Sequence, residues 1–170
     1  MCDPRPDRLS GAWAESFSNY AEKIASYWKG KLSGDFEELR SKALRILSES
    51  SEIESIARIM GERSLPDDQR LMLLSAELIK EAYLRQFAYH EIDAFCNMEK
   101  QLAILQMLID FYERASMLVR NGVPAEKIKE LPHIKRMERA KEEKSGVEGV
   151  ARLTAEVQEA LIGIAREYNL

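Results

Sequence analysis

Apolar and polar positions alternate along the chain with the period of an α-helix almost throughout. Over residues 12–29, Trp13, Phe17, Tyr20, Ile24, Tyr27 and Trp28 recur at three- and four-residue spacing, which lines one face of a helix. The stretch GKLSGD interrupts the pattern, and Phe36, Leu39, Ala43, Ile46 and Leu47 mark a second helix. A third is predicted to begin at Ser51, where Glu54 completes a capping box, and to stop at Gly61. GERSLPDDQR then reads as a turn and a new start. Pro66 suits the first helical position, and Asp67 and Asp68 suit the positive end of the helix dipole. That helix runs to about Gln86. After RQFAYHEIDAFC, Asn97 can cap a long helix over 98–121 that ends at Gly122 and Pro124. PAEKIKEL is a short helix, Pro132 opens another, and Ser145 with Glu148 forms a second capping box before a last helix reaching Tyr168.

No convincing strand alternation interrupts this, FAYHEIDAFC being the only short candidate. The expectation is one all-α domain, a bundle of about seven helices over 12–170, after an irregular lead-in over 1–11 with Pro4, Pro6 and Gly11. Composition agrees: 45% hydrophobic and 32% charged residues suit a helical domain with a sizeable core. A net charge of −4 and a pI near 5.4 give no pull toward nucleic acid or anionic lipid. Two cysteines, Cys2 and Cys96, make no disulfide framework and fit a reducing cytoplasm. The N-terminus has no apolar signal core, and no apolar stretch is long enough to span a bilayer, so no direct membrane insertion is expected.

Chemistry-bearing residues concentrate in RQFAYHEIDAFC, residues 85–96. His90, Glu91, Asp93 and Cys96 are metal-ligand types, but their spacing matches no zinc signature, and a capped, partly buried loop accounts for them better. Cys96 as a nucleophile would need His90 as its base, and a buried structural cysteine at a helix start is the simpler reading. There is no G-x-x-x-x-G-K-[ST] in the chain, so no cradle for β- and γ-phosphates. KIKELPHIKRMERAKEEK interleaves its basic residues with glutamates and reads as a salt-bridged helix surface, not a nucleic-acid site. The residues by themselves therefore describe a helical domain with no catalytic or metal site of its own.

Several stretches in order nevertheless resemble the C-terminal helical domain of the catalytic A subunit of archaeal- and vacuolar-type rotary ATPases. WAESFSNYAEKIASYW, residues 13–28, is similar to that family's W-x-x-S-Y-S-x-Y-x-x-x-L-x-x-W-Y. YLRQFAYHEIDAFCNMEKQ, residues 83–101, resembles F-L-Q-Q-N-A-F-H-x-V-D-T-Y-C-S-x-E-K-Q, agreeing at Gln86, Ala88, His90, Asp93, Cys96, Glu99, Lys100 and Gln101. FYERA, GVPAEKI and LPHIKRMERAK follow at the expected places, so the resemblance covers about 13–145.

This resemblance implies that the stretch RQFAYHEIDAFC, residues 85–96, forms one wall of an adenine pocket. Tyr89 stands at the aromatic position packed on the base, Gln86, Phe87 and Ala88 line the same turn, and Phe95 offers a second ring. Phe87 replaces the family's Asn, Tyr89 its Phe and Phe95 its Tyr. By the same resemblance the phosphate loop, the Mg²⁺ ligand and the carboxylate that activates water belong to an upstream α/β domain absent from this chain. ATP or ADP with Mg²⁺ would be bound only in the assembled enzyme, with none held by this domain alone. The implied partners are the non-catalytic B subunits and the central stalk, at the cytoplasmic side of a membrane complex. In the catalytic chain of the related F-type enzymes, an acidic helix-turn-helix touches the rotor, which implies a rotor contact here at Glu62, Arg63, Ser64, Leu65, Asp67 and Asp68. A helix of some 30 Å would join that tip to the pocket wall. The alternative reading is a stand-alone helical interaction module that binds a protein and no nucleotide.

Overall fold

The computed structural model describes residues 35–85, 98–143 and 145–170. The helix expected over 12–29, the Asn97 cap, the possible strand and the cluster around His90 and Cys96 lie outside them. Six α-helices are found among the described residues: α1 (Asp35–Met60), α2 (Asp67–Ile79), α3 (Met98–Arg120), α4 (Ala125–Lys129), α5 (His133–Glu138) and α6 (Gly146–Glu167). A 3-10 turn (Glu62–Ser64) joins α1 to α2, a second (Ala140–Glu142) follows α5, and a π-helical turn (Lys80–Leu84) extends α2. The all-α expectation holds.

The second and third expected helices are one. The break placed at Ser50 and Ser51 does not exist, because the serine hydroxyls serve the helix itself. The fully buried Ser50 donates to the Leu47 carbonyl at 2.9 Å, and Ser55 donates to the Ser51 carbonyl at 3.2 Å. Glu54, expected to complete a cap, instead meets Lys80 Nζ across the α1–α2 interface at 2.5 Å. Ser145 does occupy the N-cap of α6, though its side chain makes no capping hydrogen bond. Pro66 sits one position earlier than expected, at the N-cap of α2.

The core follows from which helices have neighbours on more than one side. α2 packs against α1, α3 and α4, so Leu71, Leu74, Ala76, Leu78 and Ile79 are buried around most of its circumference. α3 lies between α2 and α6, and its centre is correspondingly apolar, with Ile104, Leu105, Met107, Leu108, Ile109 and Phe111 all buried. α6 has one partnered face, and its buried residues Val150, Leu153, Val157, Leu161 and Ile164 keep the three-and-four spacing of a single stripe. Each buried Leu or Ile contributes about 1.5–3 kcal/mol relative to exposure. α3 ends where expected. Gly122 adopts φ +93°, and the Val123 N–H reaches back to the Leu118 carbonyl at 3.1 Å, closing the terminus.

Candidate functional site

The described residues present two places where the fold prepares a surface: the tip between α1 and α2, and the backbone on either side of 86–97. At the tip, α1 stops at Gly61, whose φ of +84° and ψ of 141° turn the chain in a way that disfavours a side chain. The last turn of α1 has outrun its neighbours, leaving Ile59 86% and Met60 62% exposed, with Ile56 partly exposed behind them. Glu62, Arg63 and Ser64 form the 3-10 turn and are exposed, and the Ser64 hydroxyl donates to the Met60 carbonyl at 3.0 Å.

The six residues expected at a rotor contact do not share one setting. Leu65, expected to offer an apolar contact, is turned inward and only 7% exposed. Asp67 is half-buried, and its Oδ1 accepts hydrogen bonds from the Ala125 N–H at 2.9 Å and from Arg70 at 3.3 Å. Asp68, in the same first turn of α2, is exposed. The apolar surface at the tip thus comes from Ile59 and Met60, which sequence reasoning did not single out.

The short helix α4 braces the tip, a role that sequence reasoning missed. Lys129 pairs with Glu62 at 2.8 Å, Arg70 bonds Glu126, and Asp67 holds the first N–H of α4. The Lys129 hydrogen bond holds the Glu62 carboxyl below the usual carboxylate range. Residues at the two ends of a 56- to 67-residue separation carry no local periodic signal, so only the fold brings them together.

From the tip, α2 and its π-helical extension run roughly 25 Å at about 1.5 Å per residue to Arg85. Tyr89, Gln86, Phe87, Ala88 and Phe95, expected at the pocket wall, lie outside the described residues. The backbone flanking them is held. The Arg85 carbonyl accepts from Lys141 Nζ, and Lys100 Nζ, near the start of α3, donates to the carbonyls of Lys141 and Glu143.

Elsewhere, a surface cavity of about 260 Å³ lies between α1 and α3. Its Lys42 is paired with Glu113 at 2.8 Å and Glu38 at 3.0 Å, so the ammonium is already engaged by two carboxylates. Among the described residues no group of three or more His, Cys, Asp or Glu could hold a metal ion. No described helix is long and apolar enough to cross a membrane.

The family described as the C-terminal domain of V and A type ATP synthase matches residues 25–129. Similar proteins include the A subunit of the A-type ATP synthase of Thermofilum pendens, 43% identical over 93% of this chain and 26% of its own length. The A subunit from Methanopyrus kandleri is 39% identical over 76% of this chain and 22% of its own length. The one from Thermococcus sibiricus is 30% identical over 92% of this chain and 27% of its own length. The chain spans about a quarter of the length of these relatives.

Proposed function

Because the chain belongs to the family of C-terminal domains of V- and A-type ATP synthases, we propose that it serves as that domain in the catalytic subunit of a proton- or sodium-translocating rotary ATPase. Its role is to close one side of the nucleotide site and to pass that movement to the central stalk. In the assembled enzyme, phosphate and Mg²⁺ binding fall to the upstream nucleotide-binding domain. This chain supplies the adenine side, with Tyr89 stacked on the base and Gln86, Phe87, Ala88 and Phe95 around it. A flat apolar wall with few polar groups suits a purine. The B subunits flank the domain, and the stalk meets the tip.

The observation that carries this reading is the tip. An exposed apolar pair, Ile59 and Met60, stands beside a charged turn and is braced from behind by α4. The buried helix α2 leads from there toward the 86–97 segment. A rigid helix converts a small tilt at one end into a displacement at the other, and the Glu62–Lys129 and Asp67–Ala125 links make α4 move with the tip. Glu62, Arg63, Ser64 and Asp68 frame the contact with charge and polarity, while Leu65 and Asp67 hold its shape.

The nucleotide half of the proposal is tested by Tyr89→Ala in the assembled complex. Loss of base stacking should weaken ATP binding by about 1–3 kcal/mol. An unchanged affinity would remove Tyr89 from the site. The 170-residue chain alone, without a phosphate loop, should show no Mg²⁺-dependent ATP turnover.

A further inference from the structure

The cavity of about 260 Å³ between α1 and α3 shares no lining residue with the tip. Its floor is apolar, formed by the buried Ile46 of α1 and Ile109 of α3. Beyond Ile109, α3 carries Tyr112, Ser116 and Arg120 at four-residue spacing, which sets them in a row along one helix face. Among the described residues, none of these three side chains has a hydrogen-bond or ion-pair partner. The groups around them are satisfied. At the same cavity Lys42 is held by Glu113 and Glu38, and Arg45 meets Glu49 at 3.1 Å. Ser41, Ser50, Ser55 and Ser75 bond back to carbonyls of their own helices, as Ser116 does not. Arg120 stands in the last turn of α3, where the helix dipole favours a cation. The dipole accounts for its charge but not for two idle hydroxyls in line with it.

We propose that this cavity docks a segment of a partner protein that presents one large apolar side chain flanked by carboxylates. The apolar side chain fills the space over Ile46 and Ile109, and a carboxylate accepts from Arg120 and from the Tyr112 and Ser116 hydroxyls. Size favours a side chain over a free small molecule, whose sites commonly enclose about 300–1,000 Å³. Met117, 64% exposed on the same lining, has the flexible thioether that suits a surface adapting to a partner. Charge selects the sign. A basic segment would meet the unpaired Arg120 and find Glu113 already taken by Lys42, whereas an acidic one gains a partner at Arg120. The inference is independent of both the adenine wall and the rotor contact.

The test titrates the full 170-residue chain with short blocked peptides and follows the methyl resonances of Ile46, Ile109 and Met117 by NMR. Acetyl-Glu-Phe-Glu-amide should shift all three saturably. Acetyl-Glu-Ala-Glu-amide, without the anchor, should bind at least about tenfold more weakly. Acetyl-Lys-Phe-Lys-amide should bind about three- to tenfold more weakly, the loss expected for a partly solvated charge-assisted contact. Arg120 is exposed, so Arg120→Gln leaves the core intact, and it should bring the two Phe peptides within about twofold of each other. Absence of methyl shifts with every peptide would overturn the docking site, and so would a charge preference that survives Arg120→Gln. Tighter binding of free 3-phenylpropionate than of the acidic Phe peptide would make the cavity a small-carboxylate site and overturn the proposal. Shifts of the same methyls on diluting the chain alone would assign the cavity to a second copy, which also overturns it.

Discussion

The carboxylate of Asp67 accepts a hydrogen bond from the backbone N–H of Ala125 at 2.9 Å, joining the first turn of α2 to the first turn of α4. Its sequence position suggested a charge at a helix start, and the family resemblance a place in a rotor contact. In the fold it closes a long-range contact, and it also faces Arg70, which bonds Glu126 from the same side.

Removing that acceptor strands an amide on a residue that is itself 3% exposed. Asp67→Ala should destabilise the domain by about 1–3 kcal/mol in denaturant unfolding, and Asp67→Asn, which keeps an acceptor, by less than half as much. Equal losses for the two substitutions would mean that charge, not the hydrogen bond, is what matters.

The sharp turn at Gly61 gives a second prediction. No atom lies within 4 Å of where a Cβ would sit, so any penalty comes from the backbone conformation alone. Gly61→Ala should cost about 1–3 kcal/mol. A neutral substitution, measured by thermal or denaturant unfolding, would show that the turn relaxes without strain.

The legible part of this fold was the part written in periodicity. Val150, Leu153, Val157, Leu161 and Ile164 announce a one-faced helix, and Gly122 announces the end of α3. Ser50 and Ser51 misled because a serine hydroxyl can cap a helix start or bond back within a helix. At Ser50, burial against α2 and α3 decides between the two. KEAYL carries no mark of a π-helical turn, since its residues suit an ordinary helix equally well. At the tip, the exposure of Ile59 and Met60 depends on where neighbouring helices stop, which no property of α1 itself records. The residues proposed for an adenine wall were accessible through family resemblance only, because three aromatic rings in a short stretch fit a core as readily as a pocket.

Glu138 offers a pH test of the surface where α5 faces α2 and its π-helical extension. Burial raises its carboxyl pKa above the ordinary value, and repulsion from Glu77 and Glu81 adds to this, partly offset by Lys135. A raised folded-state pKa means that the folded protein holds the proton better than the unfolded chain. The corresponding stability is therefore present below the ordinary carboxylate pKa and lost as pH rises through the raised one. Glu138→Gln should abolish that loss, so the variant should be more stable than the parent above this window, with the difference shrinking as pH falls below it. A stability difference independent of pH would contradict the assignment.

The central claim is that this domain transmits nucleotide-site closure to a rotor through the tip at Ile59 and Met60. Deleting residues 62–65 would test it poorly, since Leu65 is part of the packed interior and Glu62 holds Lys129. Ile59→Asp with Met60→Asp changes only exposed side chains, and the decisive measurement is the number of ions transported per ATP hydrolysed by the assembled complex. The account predicts a marked fall in that ratio with nucleotide affinity unchanged. An undiminished ratio, in a complex that has assembled with the variant, would contradict it.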